Sequence, residues 1–569
     1  MESMDSRFRS AAEIGTAPRI AGEMSASPPE PLLSSPAVWK ALACVGRLRP
    51  LLASRGVDGL LLFLVALAIR LPFQTTVLYH WDSVLYARAL AGFDVSESRP
   101  HPPGYLLYVG AARLAQLVLH DANASLVAVS QLGGALAVVF VYLLARQFYG
   151  RATALLAALL LATAPSFWYY SGVAYPYTVL ASGSVGLAAL GVAYWRGSGP
   201  PPTVVWFLYG LAGGFRLDLL PFLAPLFGVA LLARWWRTRT LWDLVVPLPS
   251  AAAGVLLWLV PTVLLSQGWE TYWPLLSQQG RYVESSYSVW SRGWPAFQSN
   301  SWQVLVYAAE GLQLAVVPLL YGVLHSGWAW WRRQRTGGAE RRGGAASLHW
   351  AHAPAGLVLG LWLTPPILFY ILVHIGDRGY SFSYLPGLCI AAAAGTRRLA
   401  ASLAKWWQGR RWPILLLRCG RPWLLYLGLL LVLIGGNLGS FLFGHSRLSA
   451  YEMDCVNRTM AQSVAIVRER FDPADTLLFS AFFYQHARYY LPEFSAWWYD
   501  PLTRPVFRAP LPAGVRQVVV FGEGLLPARQ PNLSFYPLAC GRRLYYFYDL
   551  GPEAQLVFQP PLLRVRSQP

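Results

Sequence analysis

Charge is scarce in this chain. Asp, Glu, Lys and Arg make up 13% of its 569 residues, about half the share of an ordinary soluble domain. With 55% apolar residues and a mean hydropathy of +0.39, so little charge excludes a conventional soluble enzyme and indicates a multi-spanning membrane protein. The charge that is present is one-sided, 46 basic against 27 acidic residues. In a soluble chain a net +19 would point to nucleic acid. Here the arginines cluster between apolar runs, as they do in the cytoplasmic loops of membrane proteins, so no nucleic-acid partner is expected. Cysteine is sparse too, five in all. Neither a CxxC pair nor an HExxH is present, so no dedicated zinc site can be read. The Pro/Ser-rich start lacks an apolar core with a cleavage pattern, and residues 1–56 read as a disordered cytoplasmic tail.

What the chain does have is apolar runs of spanning length. They fall near 57–75, 124–146, 152–169, 175–195, 203–235 (long enough for a tight pair), 242–266, 302–326, 354–375, 380–395 and 422–443, against the roughly 20 residues a bilayer core requires. A further run at 103–119 decides the topology. If it crossed, Arg146/Arg151 and every later basic connector (Arg196, Arg234/Arg237/Arg239, Arg332/Arg333/Arg335, Arg397/Arg398/Lys405) would face outward. It therefore reads as a helix lying on the outer surface, as its interrupting Arg113 and Gln116 permit.

The fold class that follows is an α-helical polytopic plasma-membrane protein with about eleven spanning helices over 57–443 and the amino terminus inside. Its external segments are then 76–123, 169–175, 214–218, 267–301 and 374–380. Beyond the last span, residues 444–569 alternate helical (464–470) and strand-like patterns (476–479, 518–521, 544–548), which predicts a small external α/β domain. Cys455 and Cys540 both fall in it, a pairing favoured by compartment.

The candidate chemistry lies on that outer face. Asp82, in Trp81-Asp82-Ser83, follows the first span closely, where a carboxylate can serve as general base or metal ligand for a substrate arriving from the lipid. A solvated loop acid is the ordinary alternative. His101 opens His101-Pro102-Pro103-Gly104-Tyr105, whose prolines stiffen the entry to the surface helix. Arg216 and Arg378 are the external cations for a phosphate group, and each could equally snorkel or pair locally. Asp94 and Glu97 are candidate second acids. The aromatic-rich segment 267–301 offers Glu270, Arg281, Tyr282 and Glu284 as substrate-loop residues, although its tryptophans equally suit an interfacial belt. Glu310 lies within a span, where an ionisable group faces the bundle interior as a rule.

This order of elements resembles the integral-membrane glycosyltransferases of the GT-C class: a first span, an Asp in an aromatic setting, His101-Pro102-Pro103-Gly104-Tyr105-Leu106-Leu107-Tyr108 opening a surface helix, then Gly213-Gly214-Phe215-Arg216-Leu217-Asp218 and Gly376-Asp377-Arg378-Gly379-Tyr380. It is similar to the bacterial protein O-mannosyltransferase, aminoarabinose-transferase and glycosyltransferase family 39-like groups, over roughly residues 57–395. The resemblance implies transfer of a sugar from a polyprenyl-phosphate donor to an extracytoplasmic protein, lipid or polysaccharide acceptor, with Asp82 activating the acceptor, with or without a divalent metal. It also implies that His101, Arg216 and Arg378 face the donor phosphate. Two positions depart from the pattern. Ser83 stands where many relatives carry a second acid, and Val129-Ser130-Gln131 stands where they carry an arginine.

Two other classes compete. A transporter or flippase of lipid-linked precursors would more naturally show charges at mid-membrane depth and paired inverted repeats, which are not evident here. A non-catalytic envelope assembly protein would leave the loop of Asp82 and His101 without a purpose.

Overall fold

Backbone N–H and C=O groups that enter lipid must be paired within their own segment, so the apolar runs close into helices. A computed structural model of the chain describes residues 55–335, 353–408, 422–500, 506–522, 525–559 and 562–567. The disorder read for residues 1–56 lies almost wholly outside the described residues. All the described residues except 55–58, the start of the first helix, lie in one compact unit, Gly59–Pro569.

Seven helices among the described residues are long and apolar enough to cross a membrane: Ala122–Ala145, Tyr177–Arg196, Leu219–Thr238, Trp242–Leu265, Val289–Arg332, Ala355–Leu372 and Trp423–Leu442. Arg151–Thr163 and Pro165–Ser171 meet at 60°, where Pro165 brings no N–H to the ladder, and make an eighth if the bent pair is one span. The remaining expected spans are helical as well, at Arg55–Ala68, Pro202–Ala212 and Leu385–Gln408. The first two have only 14 and 11 residues; by length and composition seven or eight spans are counted among the described residues, and the expected eleven is not confirmed. The run read as a surface helix is the 14-residue Leu106–Leu119. It is about 21 Å long at 1.5 Å per residue, too short for a core of roughly 30 Å.

Segment 267–301 departs from its reading as a loop. It forms the helix Trp269–Tyr287 and the first part of Val289–Leu312. Trp269, Trp273, Trp290 and Trp294 stay exposed, while Tyr272 is buried and its hydroxyl donates to the Pro103 carbonyl at 3.0 Å. Amphipathic spacing closes the helix here and turns one aromatic inward.

The bundle sorts its connectors by end. At one end Arg196 Nη1 donates to the Gln147 carbonyl at 2.8 Å, Arg237 to the Trp195 carbonyl, and Arg398 to the Gly322 carbonyl at 3.2 Å, so the basic connectors gather together. At the other end the Leu107 N–H donates to the Gly214 carbonyl at 3.0 Å and Ser83 Oγ to the Ala174 carbonyl at 2.7 Å. Tyr272 meets Pro103 there, and Tyr170 donates to Asp377. The five segments assigned by arginine counting to one face are thus joined to one another.

The carboxy-terminal region opens with the helix Ala450–Arg470. Its strands are β1 (Thr476–Ser480), β2 (Ser495–Trp498), β3 (Phe507–Pro510), β4 (Gln517–Val520), β5 (Leu526–Pro527), β6 (Leu533–Pro537), β7 (Arg543–Phe547), β8 (Ala554–Gln559) and β9 (Leu562–Ser567). They form a five-stranded sheet in the order β2-β1-β4-β7-β6 and a four-stranded sheet in the order β3-β8-β9-β5. β1 runs parallel to β2 and β4, and every residue of β1 is buried. That explains why 476–479 reads as a continuous apolar run and not as an alternating one. Cys455 and Cys540 are disulfide-bonded across 5.8 Å between Cα atoms, fastening the helix to the turn before β7. Cys389 is buried and unpaired; Cys44 and Cys419 lie outside the described residues.

Candidate active site

Asp82 lies in the first turn of the helix Trp81–Ala91, where the exposed N–H groups favour a negative charge. The turn is capped by His80, whose Nδ1 accepts from the Asp82 N–H at 3.2 Å, while Ser83 Oγ accepts the His80 N–H at 3.2 Å. Ser83 is fully buried and gives its own proton to the Ala174 carbonyl. An acid in its place would set a carboxylate against that carbonyl oxygen. The serine therefore has a structural use that a second acid could not fill.

Two groups address the Asp82 carboxylate. Tyr175 Oη donates to Oδ2 at 2.5 Å. His101 Nδ1 faces Oδ1 at 3.6 Å, just beyond hydrogen-bond length, and has no other partner among the described residues. Burial works against ionising Asp82, but His101 and His80, the tyrosine hydrogen bond and the charge of Arg216 outweigh it and hold the carboxyl below its usual range. Burial lowers His101 despite Asp82 beside it, so the imidazole is neutral near pH 7. Burial and the nearby carboxylate push the Tyr175 phenol up, so it remains a donor. The site therefore holds an anionic carboxylate between a neutral imidazole and a phenol.

The loop that delivers His101 depends on a glycine. Gly104 has φ +107°, and a Cβ there would come within 2.9 Å of Thr262 Cγ2.

Arg216 sits in the turn between Pro202–Ala212 and Leu219–Thr238. Asp218 takes its Nε and Nη2 hydrogens at 3.3 and 2.8 Å, and the guanidinium lies 5.3–5.6 Å from the ring centres of Tyr105, Tyr177 and Tyr380. Burial opposes its charge, but Asp218 holds the charge in place, and the Nη1 hydrogens remain for a ligand. The local pairing coexists with an electrostatic influence on Asp82. Arg378 is drawn elsewhere. Its Nε and Nη2 reach Glu310 at 2.8 and 3.3 Å, and it lies over Tyr307, so Glu310 in the span serves as its counter-ion.

The candidate second acids are not brought to Asp82. Asp94 accepts from the Ser96 N–H at 2.8 Å and from Gln267 at 3.1 Å, and Glu97 pairs with Arg99. Asp94 is engaged by its own turn and by Gln267, and Glu97 by Arg99. Among the described residues no group of three His, Cys, Asp or Glu side chains could hold a metal ion, so no step is routed through one. Glu270, Arg281 and Glu284 are exposed on the helix Trp269–Tyr287; Glu284 accepts from Ser291 Oγ at 2.6 Å and Tyr282 packs on Tyr287. None of the four touches Asp82.

Sequence reading missed the tyrosines and Asp377. Tyr175 stacks on Tyr177 at 4.4 Å, and Tyr170 lies edge-on to Tyr177 and donates to Asp377. The signal was present as Tyr169, Tyr170, Tyr175 and Tyr177 within a short connector, but it is indistinguishable from an interfacial belt. The strap 376–380 presses onto this stack so closely that a Cβ on Gly379 would lie 1.9 Å from Tyr177 Cδ2. Gly379→Ala should therefore displace Tyr177, cost about 1–3 kcal/mol by overpacking and reduce turnover. An unchanged thermal midpoint together with unchanged turnover would refute the close approach.

No family model matches this sequence, and no curated protein matches it. Solved structures do. The chain is similar to ArnT from Cupriavidus metallidurans bound to undecaprenyl phosphate, at 15% identity over 91% of this chain and 99% of that one, with a TM-score of 0.46. It is also similar to the Archaeoglobus fulgidus oligosaccharyltransferase tethered with an acceptor peptide, at 13% identity over 89% of this chain and 76% of that one, with a TM-score of 0.45.

Proposed function

We propose that this protein is a membrane glycosyltransferase that moves a sugar from a polyprenyl-phosphate donor to a hydroxyl on an extracytoplasmic acceptor. The observation that carries the reading is Asp82: an ionised carboxylate at the helix-capped end of the bundle, oriented by Tyr175 and faced by the unpartnered Nδ1 of His101. Arg216 lies close enough to act on its charge.

The acceptor hydroxyl, hydrogen-bonded to Asp82, attacks the anomeric carbon. The new C–O bond forms, the bond from that carbon to the phosphate oxygen breaks, and the lipid phosphate leaves with the electron pair. The hydroxyl proton passes to Asp82. A carboxylate with a lowered pKa is a weak base, which suits a transition state of oxocarbenium character. The acceptor proton becomes acidic only as the new bond forms, so transfer comes late. The Nη1 hydrogens of Arg216 and the His101 ring would stabilise charge developing on the departing phosphate. A mannosyl donor is one member of the class.

The test is direct. Purified protein incubated with a panel of polyprenyl-phosphate sugars should release polyprenyl phosphate and, with membrane extract present, label an acceptor. Absence of both release and transfer with every donor would return the protein to the transporter or assembly classes. Mass spectrometry of glycoconjugates from cells with and without the protein would name the product.

A further inference from the structure

Away from Asp82 the same end of the molecule contains a cavity of about 370 Å³ whose wall carries Arg378, Arg447 and Arg542 against one acid, Glu452. Three elements of separate origin bring these arginines together. Arg378 comes from the strap before Leu385–Gln408, Arg447 from the link after Pro422–Leu442, and Arg542 from the turn before β7. The lining itself carries three arginines against Glu452; just outside it Glu310 pairs with Arg378, and Asp377 accepts from Tyr170 and from the Arg378 N–H. Glu452 is engaged by Arg542 at 2.7 Å. Arg447 is exposed and makes no ion pair among the described residues. Tyr79, Tyr169 and Tyr170 supply the rest of the polar lining.

A second cavity, of about 240 Å³, shares Tyr79, Glu452 and Arg542 with the first and extends to His80. His80 is the cap of the Asp82 turn, with its Nδ1 3.9 Å from Asp82 Oδ2. The two cavities are therefore adjacent, with Tyr79, Glu452 and Arg542 lining both, and the second adjoins the neighbour of the candidate base. Arg378 keeps its Nη1 hydrogens after pairing with Glu310, and arginine forks match the oxygens of a phosphate or carboxylate.

We infer that this chamber binds an oxyanion group of the acceptor, so that the acceptor is a phosphorylated or carboxylated glycan or glycolipid whose hydroxyl reaches Asp82 past His80. The inference rests on the glycosyltransferase reading and assigns Arg378 to the acceptor, leaving Arg216 and His101 to the donor.

The experiment uses full-length protein in detergent, with inorganic phosphate as the probe and calorimetric titration as the readout. Saturable phosphate binding is expected. Arg447→Ala should weaken it about tenfold, the scale of one lost charge-assisted hydrogen bond. Arg542→Lys, which keeps the charge opposite Glu452 but loses the fork, should weaken it as well. Undecaprenyl phosphate should leave unchanged the component of phosphate binding that Arg447→Ala weakens. No saturable binding, or binding indifferent to both variants, would overturn the chamber. Competition by undecaprenyl phosphate for that component would overturn its assignment to the acceptor and give it to the donor. Asp82→Asn should keep phosphate binding whether or not any donor is turned over, so failure of the chamber and failure of the transferase reading are seen separately.

Discussion

Asp82→Asn is expected to abolish transfer while the protein still folds and inserts. The amide preserves shape: its oxygen can accept the Tyr175 hydroxyl now held at 2.5 Å, and its nitrogen can face the His101 Nδ1 now 3.6 Å from Oδ1. What disappears is the charge that attracts the acceptor proton. Removing a positioned general base costs about 10²–10⁴-fold in rate, which is about 3–5 kcal/mol of barrier. The pH profile follows from the same group. The ionised form is active, it predominates above the folded pKa, and it is lost as pH falls through it. Because that pKa lies below the usual carboxylate range, the acid limb assigned to Asp82 should lie below that of a free carboxylic acid. Turnover by Asp82→Asn within a few-fold of the parent would dismiss it as the base, and an acid limb above the ordinary carboxylate range would assign the limb to another group.

The second large effect concerns the carboxy-terminal region, residues 444–569. Both backbone groups of Leu78, four residues ahead of Asp82, are held by one helix of that region, Tyr484–Tyr490. The Leu78 N–H donates to Tyr490 Oη at 2.9 Å, and His486 Nε2 meets the Leu78 carbonyl at 3.0 Å. Burial lowers His486 to about 3, so it is neutral at any physiological pH, and Nε2 is the nitrogen that carries the proton. Asn457 reinforces the grip, accepting the Thr76 N–H at 2.8 Å and donating to the Gln74 carbonyl at 3.2 Å. Trp81 packs on Trp498 and Tyr484 at 5.4 and 6.0 Å. The region thus positions the segment that carries the base.

Excising 444–569 should therefore eliminate transfer. The double variant Tyr490→Phe/His486→Ala should lower kcat by about 10²-fold, the cost of misplacing a reacting group by an ångström or so, with a smaller change in acceptor KM. His486→Gln, which can still donate to the Leu78 carbonyl, should recover part of kcat. A loss confined to acceptor KM would mean that the region only presents acceptor; a double variant with full kcat would end the positioning argument.

Much of this was legible in the chain because it depends on local chemistry. Apolar runs must become helices, and the arginine connectors fix which helix ends share a side. Asp82 and His101 could be selected because each follows an identifiable boundary, a span end and a proline turn. Ser83 illustrates the limit. In the sequence it stands where many relatives carry a second acid, and only its contact with the Ala174 carbonyl, 91 residues away, shows what it does. Asp94 and Glu97 were reasonable second acids until the fold showed that each is spent on a neighbour.

The sequence by itself determined a membrane bundle with its polar chemistry gathered at one end and a mixed α/β region following the last span, because hydropathy, periodicity and charge asymmetry act over a few residues at a time. Tertiary structure alone decided which groups act together: Tyr175 on Asp82, Asp218 on Arg216, Glu310 on Arg378, and His486 and Tyr490 on Leu78. Those pairs depend on how helix ends and the carboxy-terminal sheets are packed, and a tyrosine or histidine at an interface carries no local mark of the partner that packing will give it.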